Sequence, residues 1–218
     1  MCVENRICGH YRVASELTGF RLANERDSDL GLKGGEVKTE LYSLSRIFTD
    51  MIFRIPDYQR GYAWKKRQYV DFWNDLVQLE PGKNHYTGVL TLEDVEEAAY
   101  KTWEDDVWVI EHKGFTPFYV VDGQQRLTTS VILIQAIVEC MPSGGCLNFS
   151  TADEIRKRYI FDSRDSGVSR SYIFGYERDN PSYEFLKQSV FGEASESSSG
   201  IQETIYTSNL GNRSRAGA

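Results

Sequence analysis

Residues 118–141 read FYVVDGQQRLTTSVILIQAIVECM, and this stretch predicts more of the fold than any other part of the chain. A short apolar run is followed by Asp-Gly, a common turn dipeptide, and then by a long apolar segment that stops before Pro142. We therefore expect a strand over 118–121, a polar loop over 122–126 and a largely buried helix over 127–141.

Polar residues cluster where this strand meets the helix. The free N–H groups of a helix N-terminus carry roughly half a positive charge and favour anions. Arg126 adds a planar cation suited to phosphate or carboxylate, and Gly123 lets the backbone turn. Gln124 and Gln125 supply donors and acceptors that a simple turn does not require. The segment has the parts of a phosphate cradle without being a Walker A sequence; the alternative is that Arg126 pairs with Asp122 as a structural bridge.

A second polar cluster, Tyr58-Gln59-Arg60, precedes a segment whose apolar residues recur at helical spacing from Tyr69 to Leu79. A buried arginine needs a partner, and an exposed one beside a turn has no obvious structural task, so the Gln-Arg pair favours a site. For the nearby Trp64 we expect core packing.

Composition bounds the class of protein. The chain has 218 residues, 40% hydrophobic and 26% charged, which suits one core with a small appendage. No apolar run approaches the roughly 20 residues that span a bilayer, and the first residues lack the apolar region of a signal peptide, so we expect a cytoplasmic protein without membrane contact. The 4 cysteines form no C-x-x-C pair, which predicts reduced thiols and no structural metal.

The acidic residues are unevenly distributed. The formal net charge is −7, and the segment from Glu93 to Glu111 holds eight acidic residues against one base, Lys101. An acidic chain is a poor non-specific DNA binder, because phosphate neutralisation needs a basic surface. We expect this segment to be a solvated loop, with a strand over 107–110 as an added possibility.

Elsewhere the pattern predicts ordinary elements. We expect helices over 40–50, 152–160 and 183–191, the last capped by Ser182, and β-structure over 51–55 and 86–92.

Two motifs and their order resemble a known family. The chain carries IPxYQRxYxW from residue 55, YxG from residue 86 and VDGQQRLTT from residue 121. This combination resembles the N-terminal domain of GmrSD-type restriction endonucleases, within the wider ParB/sulfiredoxin-like nucleotide-binding group. The resemblance covers residues 40–140 well. It extends more loosely to FGYExDNPSY from residue 174 and to a short stretch over 203–210.

The resemblance implies an α+β fold with a ParB/sulfiredoxin-like mixed sheet and packed helices over 39–142. A poorly ordered extension is expected over 1–38. The start of a helical region with a disordered C-terminal tail is expected over 143–218.

The resemblance also implies a domain that binds and hydrolyses a nucleoside triphosphate with Mg²⁺ and thereby gates a nuclease acting on modified phage DNA. The residues assigned to catalysis are Asp122, Gln124, Gln125 and Arg126. Those assigned to nucleotide binding are Tyr58, Gln59, Arg60, Gly123, Thr128 and Thr129. Asp122 is also a candidate Mg²⁺ ligand, and which glutamine positions the attacking water stays open. Because one cation rarely suffices for a triphosphate, we expect Arg60 and Arg126 to converge.

The resemblance has a limit. Family members usually continue into an HNH-type nuclease domain, whereas His10, His85 and His112 form no His-Asn-His constellation. We therefore expect no DNA cleavage by this chain alone, and either a separate nuclease subunit that contacts DNA or a truncated gene product. The alternatives are a nucleotide-sensing or DNA-associated module without turnover, and an inactive fragment.

Overall fold

A computed structural model describes residues 18–25, 38–80, 82–164 and 169–193. The chain divides into two compact units after Tyr183. Within the second unit the described residues contain a π-helical segment, Phe185–Val190.

The first unit is built on a mixed six-stranded sheet with the order β10-β3-β5-β4-β1-β2. Its strands are β1 (Thr18–Glu25), β2 (Lys38–Ser43), β3 (Met51–Ile55), β4 (Gly88–Asp94), β5 (Thr116–Asp122) and β10 (Phe174–Tyr176). Strand β3 runs parallel to both β10 and β5, and β1 runs parallel to β4. The β5–β4 and β1–β2 pairs are antiparallel. The sheet and its helices confirm the α+β fold.

Short hairpins and six helices complete the described residues. The hairpin strands are β6 (Cys146–Leu147), β7 (Ser150–Thr151), β8 (Phe161–Arg164) and β9 (Ser169–Tyr172). The helices are α1 (Leu44–Ile47), α2 (Lys66–Val77), α3 (Glu97–Tyr100), α4 (Val107–Lys113), α5 (Gln124–Cys140) and α6 (Ala152–Tyr159). Strand β3 and helices α2 and α6 lie where the sequence predicted them.

Helix α5 is the longest helix in the described part of the chain and begins earlier than expected. It starts at Gln124, so the predicted polar loop over 122–126 is wrong for its last three residues. Glutamine and arginine are good helix formers, and their polarity does not prevent a helical first turn. Its side chains at Leu127, Val131, Ile134 and Val138 are buried, and this face joins the core of the sheet.

Two segments fold differently from their patterns. The predicted helix over 40–50 is instead the end of β2 followed by the short helix α1, and Leu41 is 71% exposed. The apolar residues over 107–110 form helix α4 rather than a strand. The acidic segment is also not wholly solvated, because the carboxylate of Asp106 is buried and bonded to Arg54 and Ser171.

The predicted domain limits also differ from the sheet. Residues 18–25, which we placed in the N-terminal extension, form β1. Residues 174–176, which we placed in a helical region, form β10 and pair with β3. Residues 194–218, which include the predicted C-terminal tail, lie outside the described residues, as do Cys2 and Cys8.

Two smaller expectations concern the thiols and the membrane. Cys140 and Cys146 are exposed, and neither is in a disulfide within the described residues. None of the helices in the described ranges is both long and apolar enough to cross a membrane.

Candidate functional site

A cavity of about 600 Å³ opens where residues 56–64, here called the cavity loop, face the start of α5. Its walls come from two parts of the chain that are distant in sequence. The lining residues are Tyr58, Gln59, Arg60, Trp64, Val121, Asp122, Gly123, Gln124, Gln125 and Arg126. The cavity thus brings together every predicted site residue except Thr128 and Thr129.

Gly123 makes the tight turn from β5 into α5. Its φ of +91° lies in the left-handed region, which glycine adopts without strain. A Cβ atom here would stand 2.8 Å from the carbonyl oxygen of Val89 and 3.0 Å from Cδ1 of Leu90. Both conformation and space therefore require glycine, and the close approach to Val89 and Leu90 places the start of α5 beside the first residues of β4.

The N-terminus of α5 is open to the cavity. The first intrahelical bond runs from the N–H of Leu127 to the carbonyl of Gly123, and no side chain caps the helix. The N–H groups of Gln124, Gln125 and Arg126 therefore have no partner within the helix. In a helix of 17 residues these groups form a site of positive potential.

Arg126 is anchored on one side and available on the other. Its Nη2 atom donates to the carbonyl of Val89 at 2.9 Å, and Arg126 is one of the residues that line the cavity. No ion pair joins it to Asp122, although both residues lie in the described ranges. The alternative of a structural Asp122–Arg126 bridge is therefore wrong.

A second cation, Arg60, also lines the cavity. Arg60 is exposed, and its side chain has no hydrogen-bond or ion-pair partner in the described part of the chain. Beside it, the Nε2 atom of Gln59 donates to the carbonyl of Val121 at 2.9 Å, which ties the cavity loop to the end of β5. Arg60 and Arg126 therefore line the same cavity.

The two glutamines of α5 have different surroundings. Gln125 is buried and bonds the cavity loop twice, accepting from the N–H of Ala63 at 2.7 Å and donating to the carbonyl of Gly61 at 3.0 Å. Gln124 is only 7% exposed, and its Oε1 atom has no hydrogen-bond partner among the described residues. Gln125 thus holds the cavity loop against α5. The buried Oε1 atom of Gln124, by contrast, has no partner among the described residues and can still accept a hydrogen bond.

Asp122 supplies a carboxylate at the end of β5. Its side chain is exposed and lines the cavity beside the N-terminus of α5. Within the described lining it is the single acidic residue, set against two arginines. The walls therefore favour an anion and leave one carboxylate for a cation or a water.

Thr128 and Thr129 are not among the residues that line the cavity. The hydroxyl of Thr128 bonds the carbonyl of Gln124 at 2.8 Å and the hydroxyl of Tyr176 at 2.9 Å. That of Thr129 bonds the carbonyl of Gln125 at 2.8 Å and the hydroxyl of Tyr62 at 3.0 Å. Their contacts fix the first turn of α5 against β10 and the cavity loop.

Sequence reasoning missed the segment over 177–182, here called the clamp segment. Asn180 and Ser182 are buried and bond the backbone of the cavity loop. Glu177 accepts from the N–H of Asp57 at 3.1 Å and from the hydroxyl of Tyr119 at 2.7 Å. The FGYExDNPSY string was the one signal, since its polar residues follow directly on a strand.

Carboxylates surround the outer side of the cavity loop. Tyr58 is 73% exposed, and burial, followed by the charges of Glu93, Glu177 and Asp57, raises the pKa of its hydroxyl. Burial and the hydrogen bond to Glu177 raise the pKa of Tyr119 well above its usual range. Both phenols therefore stay protonated at neutral pH, and that of Tyr119 donates to Glu177.

Comparison with known families decides the classification. The family model described as "GmrSD restriction endonuclease, N-terminal domain" matches residues 40–213. The chain belongs to this family. The match spans the cavity loop, the start of α5 and the clamp segment, so all three are parts of a GmrSD N-terminal domain. Membership makes the domain part of a restriction system. No curated protein and no solved structure matches the chain.

Proposed function

We propose that this GmrSD N-terminal domain binds a nucleoside triphosphate with Mg²⁺ in the cavity, hydrolyses it, and thereby regulates a restriction nuclease. One observation carries the proposal: two arginines and the open N-terminus of a 17-residue helix line the same cavity. A volume of about 600 Å³ is within the range of small-molecule sites, which is roughly 300–1,000 Å³.

The phosphates belong at the start of α5. The unpaired N–H groups of Gln124, Gln125 and Arg126 offer neutral donors and a favourable dipole. The guanidinium of Arg126, held by Val89, adds a fixed charge without further loss of side-chain freedom. Arg60 lines the same cavity and adds a second charge that neutralises the phosphate chain.

The base and ribose belong toward the cavity loop. Tyr58 presents a largely exposed ring, and Trp64 lines the same wall while its ring meets Phe72 edge-to-face at 5.8 Å. Aromatic faces of this kind stack on any base, which predicts weak discrimination among the four nucleotides.

Asp122 suits the metal. Mg²⁺ in phosphate sites usually takes one or two carboxylates, substrate oxygens and water, and when bound it neutralises charge on the phosphates. The exposed carboxylate of Asp122 at the cavity is compatible with that role. It is also the one acidic group in the described lining that is placed to orient a water.

Hydrolysis requires a water to bond to the terminal phosphorus while the bond to the bridging oxygen breaks and the nucleoside diphosphate leaves. Here the chain supplies position and charge rather than a covalent intermediate. Arg126 and Arg60 stabilise charge on the transferred group, and Asp122 receives or orients the proton of the water.

A second function is binding without turnover, in which the nucleotide acts as a signal. The observation that favours it is the lining itself, which has a single carboxylate and no histidine within the described ranges. Release of phosphate separates the two functions.

The test is a thermal-shift series with ATP, GTP, CTP and UTP in the presence of Mg²⁺, followed by phosphate-release assays. Binding to the folded state at a hundredfold excess over Kd adds about 2.7 kcal/mol of stability. We expect Arg126→Ala and Arg60→Ala to lose this response. Arg67→Ala is the matched control, because Arg67 is exposed and does not line the cavity. No shift with any nucleotide would remove the proposal.

A further inference from the structure

The clamp segment carries two buried polar side chains that bond the backbone of the cavity loop. Asn180 is 3% exposed and Ser182 is 6% exposed, and both lie in the segment that follows β10. Buried polar groups are costly unless they are bonded, so their partners indicate what they stabilise.

Asn180 directs its amide at the backbone of the cavity loop. Its Nδ2 atom donates to the carbonyl of Pro56 and to the carbonyl of Gln59, each at 2.9 Å. Its Oδ1 atom accepts from the N–H of Ser182 at 3.0 Å. One side chain thus holds two points of the loop and sets the position of the next clamp residue.

Ser182 holds the loop one step further along. Its Oγ atom accepts from the N–H of Tyr62 at 2.7 Å. At Gly61 the contact leaves no room for a side chain, because a Cβ atom there would overlap Oγ of Ser182 and stand 3.4 Å from its Cβ. The loop backbone is therefore packed directly against the serine.

The loop is held on its other side by α5. Gln125 bonds Gly61 and Ala63, while Gln59 bonds Val121. Two sets of hydrogen bonds therefore hold the segment that carries Arg60. One set comes from α5 and β5, and the other comes from the clamp segment. The Arg60 side chain itself has no partner in the described residues, so only the backbone fixes where it begins.

We infer that Asn180 and Ser182 are positioning residues for the cavity loop: they hold the backbone of Gln59–Tyr62 so that Arg60 lines the same cavity as the start of α5. The inference rests on the proposed function for its effect on nucleotide, but the restraint of the loop is a property of the free protein. Without the clamp, a ligand must order the loop on binding, and that entropy cost weakens affinity.

The first measurement needs no nucleotide. Hydrogen–deuterium exchange of the cavity loop is compared between the parent, Ser182→Ala and Asn180→Ala. We expect exchange at the Tyr62 amide and its neighbours to rise about fivefold to tenfold, the equivalent of one lost hydrogen bond. Thr151→Ala is the control, because Thr151 caps α6 and does not line the cavity.

The second measurement is the concentration of nucleotide that gives half of the maximal thermal shift. We expect it to rise about fivefold to tenfold in the clamp variants and to stay unchanged in Thr151→Ala. A purely structural role would lower the melting temperature of the clamp variants while leaving the half-saturating concentration unchanged, and that result would overturn the inference.

Gly61→Ala gives an independent check if Asn180→Ala fails to fold. Because it displaces the Ser182 hydroxyl, it breaks the same bond as Ser182→Ala. We therefore expect the cavity loop to exchange no faster in the Gly61→Ala/Ser182→Ala double variant than in the more affected single variant. Additive increases in the exchange rate would contradict the clamp.

The two proposals can fail separately. If the parent responds to no nucleotide, the proposed function falls and exchange alone decides the clamp. If the parent responds and loop exchange is unchanged in the Ser182 and Gly61 variants, the clamp falls and the proposed function stands.

Discussion

The guanidinium of Arg126 lies against the backbone of Gly88, so closely that a Cβ atom on Gly88 would overlap Nη1 and stand 2.7 Å from Cζ. Gly88 also has a φ of +126°, in the region that other residues rarely adopt. The first residue of β4 is thus part of the site through the arginine that it accommodates.

This contact predicts the effect of Gly88→Ala. The new methyl group displaces the Arg126 guanidinium from Val89, so we expect loss of the nucleotide-dependent thermal shift together with about 1–3 kcal/mol of destabilisation from the strained backbone. Gly82→Ala is the matched control. Gly82 has a φ of +80°, and nothing in the described ranges lies within 4 Å of its Cβ position. It should lose stability through its backbone alone and keep the response to nucleotide.

Adjacent glutamines should respond in opposite ways to the same substitution. Gln125→Met removes two bonds to the cavity loop and leaves backbone groups of Gly61 and Ala63 without partners, which should cost about 1–3 kcal/mol in urea unfolding. Gln124→Met removes a buried oxygen that has no partner within the described residues, so stability should be unchanged or raised. The Gln124 variant should nevertheless lose phosphate release. Equal destabilisation by the two substitutions would contradict the conclusion that Gln125, and not Gln124, holds the cavity loop.

The buried pair of Arg54 and Asp106 should matter for stability and not for the cavity. Arg54 donates through Nε to Oδ2 of Asp106 at 3.0 Å, and Ser171 donates to Oδ1 at 2.8 Å. Asp106→Ala leaves a buried guanidinium unpaired, at a cost of about 3–5 kcal/mol. The exposed Arg67–Asp71 pair is the control, and Asp71→Ala should change the free energy of unfolding by less than about 1 kcal/mol. A nucleotide affinity altered in still-folded Asp106→Ala would argue against this separation.

The raised pKa of the Tyr176 hydroxyl predicts that the folded state loses stability at alkaline pH. Burial raises the pKa of its hydroxyl to about 12, above the value of about 10 in the unfolded chain. The unfolded state therefore loses this proton first, so the contribution is complete below pH 10 and is lost as the pH rises from about 10 through about 12. Denaturant unfolding between pH 9 and pH 12 should show a shallower decline for Tyr176→Phe than for the parent. Identical slopes would mean that the hydroxyl titrates normally in the folded protein.

The strand–turn–helix over 116–140 was predictable because its signals are local. The apolar run, the Asp-Gly turn and the apolar segment each report on neighbouring residues, and the family motifs indicated which polar side chains share a cavity. Even there the start of α5 was misplaced by three residues, since polar side chains in a first helical turn look like a loop.

The rest depended on contacts that leave no local pattern. Asn180 and Ser182 bond main-chain atoms of the cavity loop, and main-chain atoms carry no sequence signal. Asp106 was hidden in an acidic run because its burial requires Arg54, which lies on strand β3 far away in the sequence. The predicted helix over 40–50 failed for a related reason: Leu44 and Ile47 are buried as expected, but sheet pairing of the residues before them overrides helical spacing.

The clamp has a consequence for how the protein folds. Asn180 reaches Pro56 and Gln59 across 124 and 121 positions of the chain. Contacts of such sequence separation form slowly, because a long loop must close before they give any stabilisation. Strand β10 pairs with β3 across a comparable separation, since Phe174 lies opposite Phe53. Refolding should therefore form the helices first and fix β10 and the cavity loop together, with competence for nucleotide arriving in that late kinetic phase. A nascent chain in which residue 182 has not yet been synthesised would contain both arginines. It would lack the contacts that fix the loop carrying Arg60.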